Sequence, residues 1–426
     1  MLATVIRGHR VTLDPSHACP ARKWESERKM ITFLIRRLFQ MFVVTIVACM
    51  LSYGLLYLQP GGPIDQFLAE RQNSGRNRVT EADLQRVLQR YELDLALPVR
   101  FSRWLIGWPT GPIFGSIGAN WQVGCAQPGQ VRLRYPDGRV EIVEEGCAIP
   151  VTLADLEGRE ASRGVLFGDF GESQTILRDR PVTELIWSRL PYTLYLMGAS
   201  ILLAILIAVP LGVYSAVKQY SRFDYIATTI AFIGASVPSF VFGVFFILIF
   251  SILAKQAGLP YLPPGDAVGT RDYYIPLIGN VEAGSFLDRF LHFIMPCAVL
   301  TIINLAGWSR FVRGSMLEVL QQDYVRTARA KGVRERLVIL KHALRNSLIP
   351  FVTLLAGVLA AIFGGALITE TIFNWPGLGR LFIQSLGAND YNVAMALLLV
   401  NVILLLIGIL ITDILYTIVD PRIRLS

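Results

Sequence analysis

Six long apolar runs, at 33–58, 190–217, 225–253, 293–308, 348–368 and 393–418, constrain the fold of this chain more than any other feature. A bilayer core about 30 Å thick is crossed by about 20 helical residues, and these runs meet or approach that length. Backbone polar groups in lipid must be satisfied within the segment, so such runs imply helices. A membrane barrel would instead show alternating segments of about ten residues. Helices of a large soluble α protein would carry a polar face, which these runs lack. The expectation is an all-α membrane protein with six transmembrane helices.

The formal net charge of +8 would also suit a polyanion partner, so its distribution decides the matter. Basic residues crowd the approach to the first run (Arg22, Lys23, Arg28, Lys29, Arg36, Arg37) and the connection at 218–224 (Lys218, Arg222). They crowd 309–346 too (Arg310, Arg313, Arg326, Arg329, Lys331, Arg334, Arg336, Lys341, Arg345), and the tail (Arg422, Arg424). The two opposite short loops hold only Lys255, Arg271, Arg289 and Arg380. Lys and Arg concentrate on the cytoplasmic side, which places both termini in the cytoplasm and the long connection 59–189 outside. The positive charge then serves orientation, and no nucleic acid is needed to explain it. The first run is too long for a secretory signal, lacks cleavage context, and reads as a retained anchor. Residues 1–29 are polar and irregular: either a disordered cytoplasmic extension or the product of a start upstream of Met30.

After the first run, Gln-Pro-Gly-Gly-Pro (59–63) stops the helix. Residues 80–106 have helical character, with Thr80 a cap for 81–88 and a second helical run over 98–106. Residues 109–163 read as a small inserted subdomain, rich in Gly and Pro. Within it, 131–143 alternates around a Pro-Asp-Gly turn, the pattern of a β-hairpin. Cys125 and Cys147 lie on either side of that stretch, where oxidation is permitted. They are the expected disulfide, useful to a subdomain too small for a large core. Cys49 and Cys297 lie in or beside spans, Cys19 is in the tail, and no cysteine–histidine cluster suggests a metal.

A helix over 181–189 is expected to lead into the second span. Pro210 and Pro238 fall inside the second and third, where proline kinks the axis or unwinds a turn; a packing kink and a moving gate both remain open. Residues 281–292 read as a short surface helix. The stretch 311–347 reads as two or three short helices separated by a turn at Gly332, with apolar residues among the charges. Such helices lie along a membrane or present a face to a soluble partner; the alternative is a solvated, positive-inside loop. No Gly-rich run is followed by Lys-Ser or Lys-Thr, so no Walker-type phosphate loop is present, and Gly-Leu-Gly at 377–379 is a lone fragment. No ATP hydrolysis, cofactor or catalytic constellation is expected of this chain. Asp413, near the end of the last run, is the one clear candidate for a coupled ion path, or else a helix-packing or interfacial residue.

Several motifs, by their order and spacing, resemble the inner-membrane permease subunits of bacterial ABC importers, dipeptide/oligopeptide branch. They are Met-Ile-Thr-Phe-Leu-Ile-Arg-Arg-Leu at 30–38, Pro-Gly-Gly-Pro at 60–63 and Tyr-Glu-Leu-Asp-Leu-Ala-Leu-Pro-Val-Arg-Phe at 91–101. Gly-Asp-Phe-Gly-Glu-Ser at 168–173, Arg-Leu-Pro-Tyr-Thr-Leu at 189–194 and 323–350, ending in Pro350, follow. Glu-Thr-Ile-Phe-Asn-Trp-Pro-Gly-Leu-Gly-Arg-Leu at 370–381 is the strongest, and Asp-Pro-Arg-Ile-Arg at 420–424 closes the set. The resemblance covers about 30–108 and 164–426; it fails over 1–29 and 109–163.

It implies the type I importer permease fold, with 311–347 as the loop that engages an ATPase. The family's general loop has Glu-Ala-Ala, three residues, then Gly. Anchored on Gly332, its Glu position is Arg326, the next is Thr327, and only Ala328 is retained. Asp323, Ala328 and Gly332 are then expected to shape the coupling helix, the last two by allowing close backbone approach, while Tyr324 and Val325 supply contact area. Gly168, Asp169, Gly171, Glu370, Trp375, Pro376, Gly377 and Gly379 carry over as structural motif residues. The implied partners are a second homologous permease, two ATP-binding subunits holding ATP and Mg, an extracytoplasmic substrate-binding protein, a peptide, and the lipid bilayer of the bacterial inner membrane. The same motifs would serve import of nickel chelates or another small solute. From other classes, a secondary transporter and a non-transporting scaffold working through the insert remain. The insert itself is either a decoration or an added docking surface or lid.

Overall fold

The computed structural model describes residues 20–58, 62, 64–65, 67–68, 80–110, 120–134, 140–157, 159, 162–364 and 366–419. Among them, six helices are long and apolar enough to cross a membrane: Thr32–Leu56, Val182–Val217, Ser239–Gln256, Phe286–Leu320, Glu335–Leu355 and Tyr391–Ile411. The fold is all-α and six-span, with a β-hairpin insert.

Helix α1 (Pro20–Leu58) starts ahead of its apolar run, so residues 20–29, expected to be irregular, form its first turns. Residues 1–19, most of the helix stop at 59–63 and the tail motif at 420–424 lie outside the described residues. Thr80 caps α2 (Glu81–Arg90) as expected: its hydroxyl accepts from Asp83 N at 3.3 Å, while the Asp83 carboxylate accepts from Thr80 N at 3.4 Å. In α3 (Leu97–Ile106), Pro98 sits in the first turn and Gly107, at φ 72°, closes the helix.

The insert is larger in its β structure than its sequence suggests. Strands β1 (Gln122–Arg134) and β2 (Val140–Thr152) pair antiparallel, and the expected hairpin at 131–143 is only their distal part. Its turn, at 135–139, lies outside the described residues. The base is pinned to the segment joining α2 to α3: Cys125 N donates to Asp94 O at 2.7 Å and Ala96 N to Val123 O at 3.0 Å. Gly124 makes this approach possible, since a Cβ there would collide with the Asp94 backbone. Leu95, Val123, Val151, Leu153 and Leu156 form the small core beneath. Cys125 and Cys147 are joined across the strands, with Cα atoms 5.9 Å apart.

Helix α4 (Val182–Val217) merges the expected helix at 181–189 with the second span, and Pro191 and Pro210 leave it continuous. The third run, expected as one span, is broken. Pro238 is extended (φ −58°, ψ 143°) and separates α5 (Arg222–Ser236) from α6 (Ser239–Phe246). Proline offers no N–H and pushes the preceding residue out of the helical region; Val237 has ψ 127°. Helix α6 runs on through a π turn (Ile247–Leu253) to Gln256. A short hairpin, β3 (Tyr273–Ile275) with β4 (Gly279–Val281), precedes α7 (Phe286–Leu320). The short surface helix expected at 281–292 is therefore not separate: Val281 ends β4, and 286–292 open the 35-residue α7. Asp288, fully buried there, ties the hairpin down by accepting from Gly269 N (2.8 Å), Gly284 N (2.9 Å) and the Tyr273 hydroxyl (2.8 Å).

After α7 come α8 (Asp323–Ala330) and a helical stretch that starts at Glu335, passes a π turn (Val338–Ala343) and continues as α9 (Leu344–Gly364). Two short helices, α10 (Leu367–Ile372) and α11 (Leu378–Gly387), return the chain to α12 (Tyr391–Val419). Helices α4 and α7 pack at the centre. A buried cluster of Ala204, Ala208, Trp308, Val312, Met316 and Phe351 joins them to α9. Small residues allow the close approach that helix packing in lipid relies on.

Candidate functional site

The sequence-predicted residues gather at opposite ends of the bundle. At the end carrying the insert, residues 370–380 fold into a knot around one carboxylate. Glu370 is fully buried; its Oε1 accepts from the Thr193 hydroxyl of α4 (3.0 Å) and its Oε2 from Arg380 N (3.0 Å). Thr193 in turn accepts from Leu378 N at 2.8 Å, so it links the first turn of α11 to the carboxylate. Burial pushes the Glu370 carboxyl above its ordinary value, opposed by hydrogen bonds from Arg380, Thr193 and Gly379. Trp375 is also fully buried and donates its indole N–H to Tyr192 O at 3.2 Å. Pro376 separates it from Gly377, whose absent side chain is the space the carboxylate occupies: a Cβ there would collide with Glu370. At Gly379 a Cβ would come within 2.8 Å of Leu367 Cα and 3.0 Å of Glu370 Oε2. The glycines of this motif are required by space.

The Gly-Asp-Phe-Gly-Glu-Ser motif lies at the same end and holds the start of α12. Asp169 accepts from Arg163 N (2.8 Å) and Gly171 N (3.0 Å), while Gly168 and Gly171 take φ 80° and 73°. Just beyond, the buried Asp390 accepts from the Ser173 hydroxyl (2.6 Å) and from Thr175 N and Ile176 N (both 3.1 Å). Asn392 donates to Glu172 O at 2.9 Å. Asp169 and Gly171 also border an open cavity of about 820 Å³, with Tyr53, Trp104, Arg103 and Arg159 on other walls.

At the opposite end, α8 stands clear of the bundle. Val325 is its one fully buried side chain; Asp323 and Tyr324 are exposed and Ala328 is half-buried. Asn346 donates to the Tyr324 hydroxyl at 2.9 Å. Gly332 has φ 72° and ends the segment, its N–H donating to Arg329 O (3.0 Å) and Val333 N to Ala328 O (3.3 Å). A Cβ at Gly332 would meet nothing within 4 Å. The close backbone approach expected of Gly332 is thus not made within this chain, and left-handed geometry is what asks for glycine. Arg329 and Glu335 span the turn at 2.8 Å. Val325 supplies attachment to the chain itself, not outward contact area.

Asp413 is paired with Arg37 of α1 at 2.6 Å, a contact that joins the first and last helices as the helix-packing reading expects. Pro210 sits in unbroken helix, whereas Pro238 interrupts one.

Residues 208–425 match the family model described as "Binding-protein-dependent transport system inner membrane component". The chain is 45% identical over 257 residues to the oligopeptide transport system permease protein AppB of Bacillus subtilis, covering 60% of this chain and 76% of that one. It is 40% identical over 274 residues to the dipeptide transport system permease protein DppB of Escherichia coli, covering 61% and 78%. A putative peptide permease protein of Brucella suis is 32% identical over 399 residues, 93% of this chain and all of that one.

The chain belongs to this permease family. It is a multi-span inner-membrane transport subunit. Two residues that build the permease's knots escaped the reading of its sequence. Thr193 lies within the quoted motif at 189–194 but carried no role of its own there, and Asp390 directly precedes an apolar run, where an acidic residue signals a helix start. Asp224 and Arg313, paired between α5 and α7 at 2.7 Å, were invisible as a pair because 89 residues separate them.

Proposed function

We propose that this permease forms half of the translocation pathway of an ATP-driven importer of di- or oligopeptides. A second homologous permease completes the pathway, two ATP-binding subunits supply ATP and Mg, and an extracytoplasmic binding protein delivers the peptide. Both termini and α8 lie in the cytoplasm; the insert and the Glu370 knot face outward. The chain then divides into the extension 1–29, of which 20–29 already belong to α1, the first transmembrane helix to 58, an external segment 59–189 holding the insert 109–163, and the core 190–426. Within the core, the coupling loop 311–347 narrows to α8 and its flanks, because 311–320 end α7 and the next long helix starts at Glu335.

The observation that carries this reading is α8. A helix of eight residues, attached through Val325 and bounded by a left-handed glycine, presents Tyr324 and a set of charges to whatever lies beyond the bundle. Closure of the ATPase pair would push on it, and α7 would carry the push into the membrane. The rigid outer knot then gives the rocking helices a fixed point, so the cavity opens outward on ATP binding and resets after hydrolysis. The chain contributes a pathway, a gate and a lever; the chemistry is the ATPase's. Peptide as substrate is supported by the names of the Bacillus and Escherichia relatives, an oligopeptide and a dipeptide transport system permease.

The test is isolation of the tagged permease from its native membrane in mild detergent, with identification of stoichiometric companions by mass spectrometry. A second permease and ATPase subunits are expected. Reproducible recovery of a lone homo-oligomer would overturn the reading. Within the assembled complex, Ala328→Glu is expected to leave ATP hydrolysis running while transport falls about tenfold, because a bulky charge at the half-buried Ala328 alters the face α8 offers to a partner. Normal coupling in that variant would remove Ala328 from the contact.

A further inference from the structure

Resting on that reading, we propose that Asp224 and Arg313 are positioning residues for coupling: their ion pair joins the α4–α5 turn to the distal part of α7, so that α8 pushes a rigid block. Helix α7 ends at Leu320 and α8 begins at Asp323, so a force on α8 reaches the membrane through the end of α7 as well as through the helix that starts at Glu335, to which the Arg329–Glu335 pair and the Asn346–Tyr324 hydrogen bond tie it. Arg313 lies seven residues before that end, about 10 Å along the axis at 1.5 Å per residue. A single helix loaded at its tip bends or frays unless something holds it from the side, and the Asp224 carboxylate is where the lateral hold is built.

Asp224 is buried, with 3% of its surface exposed. Oδ1 accepts from Arg313 Nε at 2.7 Å and Oδ2 from Arg313 Nη2 at 2.8 Å, a two-point fork that fixes direction as well as distance. The same carboxylate accepts from the Ser215 hydroxyl in the last turn of α4 and from Tyr220 N (3.0 Å). Tyr220 is held at φ 62°, unusual for a residue other than glycine. Ser221 closes the arrangement by accepting from Asp224 N at 3.2 Å. One carboxylate therefore ties the end of α4, the turn, the start of α5 and the lever helix together.

The next turn inward is tight for a different reason. Gly212 of α4 faces α7 with no side chain between: a Cβ there would come within 2.7 Å of Ser309 O and 2.9 Å of Val312 Cβ. Backbone contact at Gly212 and the fork at Arg313 are two fixed points on one lever, one helical turn apart. With both in place, rotation of the distal α7 must carry α4 with it. With the fork lost, the distal α7 keeps the Gly212 contact and the apolar packing of Val312 and Met316 against α4 and α9, but loses its directional polar hold on the α4–α5 turn.

The experiment uses the assembled complex carrying spin labels at Lys218→Cys and Thr327→Cys, both exposed positions on the α4–α5 turn and on α8. The label-to-label distance distribution is measured by pulsed electron resonance, with and without vanadate-trapped ATP. The expected result is a narrow distribution unchanged by trapping in the otherwise native chain, and a broadened, trapping-dependent one in Asp224→Asn. Arg313→Lys should fall between, since lysine keeps the charge and loses the fork. In parallel, ATP consumed per peptide moved is expected to rise, by about tenfold, in Asp224→Asn, because Arg313 is left without its charged partner.

A merely structural role would lower assembled yield in both variants and leave the distance distribution of the surviving complexes native. That outcome overturns the proposal, and so does a trapping-dependent distance in the otherwise native chain. Should Asp224→Asn fail to assemble, Arg313→Lys decides on the same readout. The distances require no substrate, so a complex that moves no peptide would overturn the substrate reading while the labels still decide the clasp.

Discussion

The Glu370 knot and the α8 segment are both short helical pieces between longer helices, yet they are held in opposite ways. The knot is packed inward: Glu370, Trp375 and Thr193 are fully buried, and Gly377 and Gly379 are glycine because a neighbour fills the space of a side chain. Helix α8 is held to the bundle by the buried Val325 and by polar contacts from Asn346 and Glu335 and is largely exposed, with Gly332 glycine because of its backbone angle alone. A region that must hold its shape is locked by space and buried polar bonds. A region that, in the proposed assembly, meets a partner keeps its surface free and is attached at few points.

That contrast breaks most visibly at its glycines. Gly377→Ala drives a methyl group into a buried carboxylate, and overpacking of this kind costs about 1–3 kcal/mol or more. We expect the assembled, folded fraction to collapse, measured by fluorescence-detected size exclusion. Gly377→Asn should be worse still. A stable Gly377→Ala protein would mean that the knot yields.

Thr193→Val removes the hydroxyl bridging Leu378 N and Glu370, leaving a buried donor and a carboxylate oxygen without that partner. The expected loss is about 1–3 kcal/mol, read as a fall in the thermal midpoint of the purified complex. Thr193→Ser should recover most of it.

At the other end, Gly332→Ala places an alanine in the left-handed region at a cost of about 1–2 kcal/mol. Gly332→Asn should be nearly neutral, because asparagine tolerates that conformation and nothing lies within 4 Å. The measurement is peptide transport with ATPase activity. If alanine and asparagine behave alike, space and not backbone angle governs Gly332, and the distinction between the two ends fails.

The smallest effect on transport is expected from the insert. Cys125→Ser or Cys147→Ser removes a cross-link worth about 3 kcal/mol to a loop of this size, yet the base of the hairpin stays pinned through Asp94, Ala96 and the Leu95 core. Faster protease cleavage of the insert is expected, with membrane insertion unchanged. Loss of transport on reduction would move the insert from decoration to working part.

What could be read in advance follows from how local each signal is. The spans were legible because twenty apolar residues in a row have one stable arrangement in lipid. The cap at Thr80, the strands around 131–143 and the turn at Gly332 were legible because each depends on neighbours within a few positions. The break at Pro238 was readable only as a choice between kink and unwound turn, since proline removes one donor in either case. The extent of α7 was not legible: the charges in 286–292 look like a surface segment until Asp288 is seen buried against Gly269, Gly284 and Tyr273.

By itself, then, the sequence determined the membrane class, the six crossings and the helix ends set by Pro, Gly and capping side chains, because hydropathy and backbone angles act over short stretches of chain. The tertiary structure decided which polar residues are partners: Glu370 with Thr193, Asp390 with Ser173, Asp224 with Arg313, Asp413 with Arg37. Those pairs are separated by tens to hundreds of positions, and a buried charge reveals its purpose only when the group that satisfies it has been brought alongside.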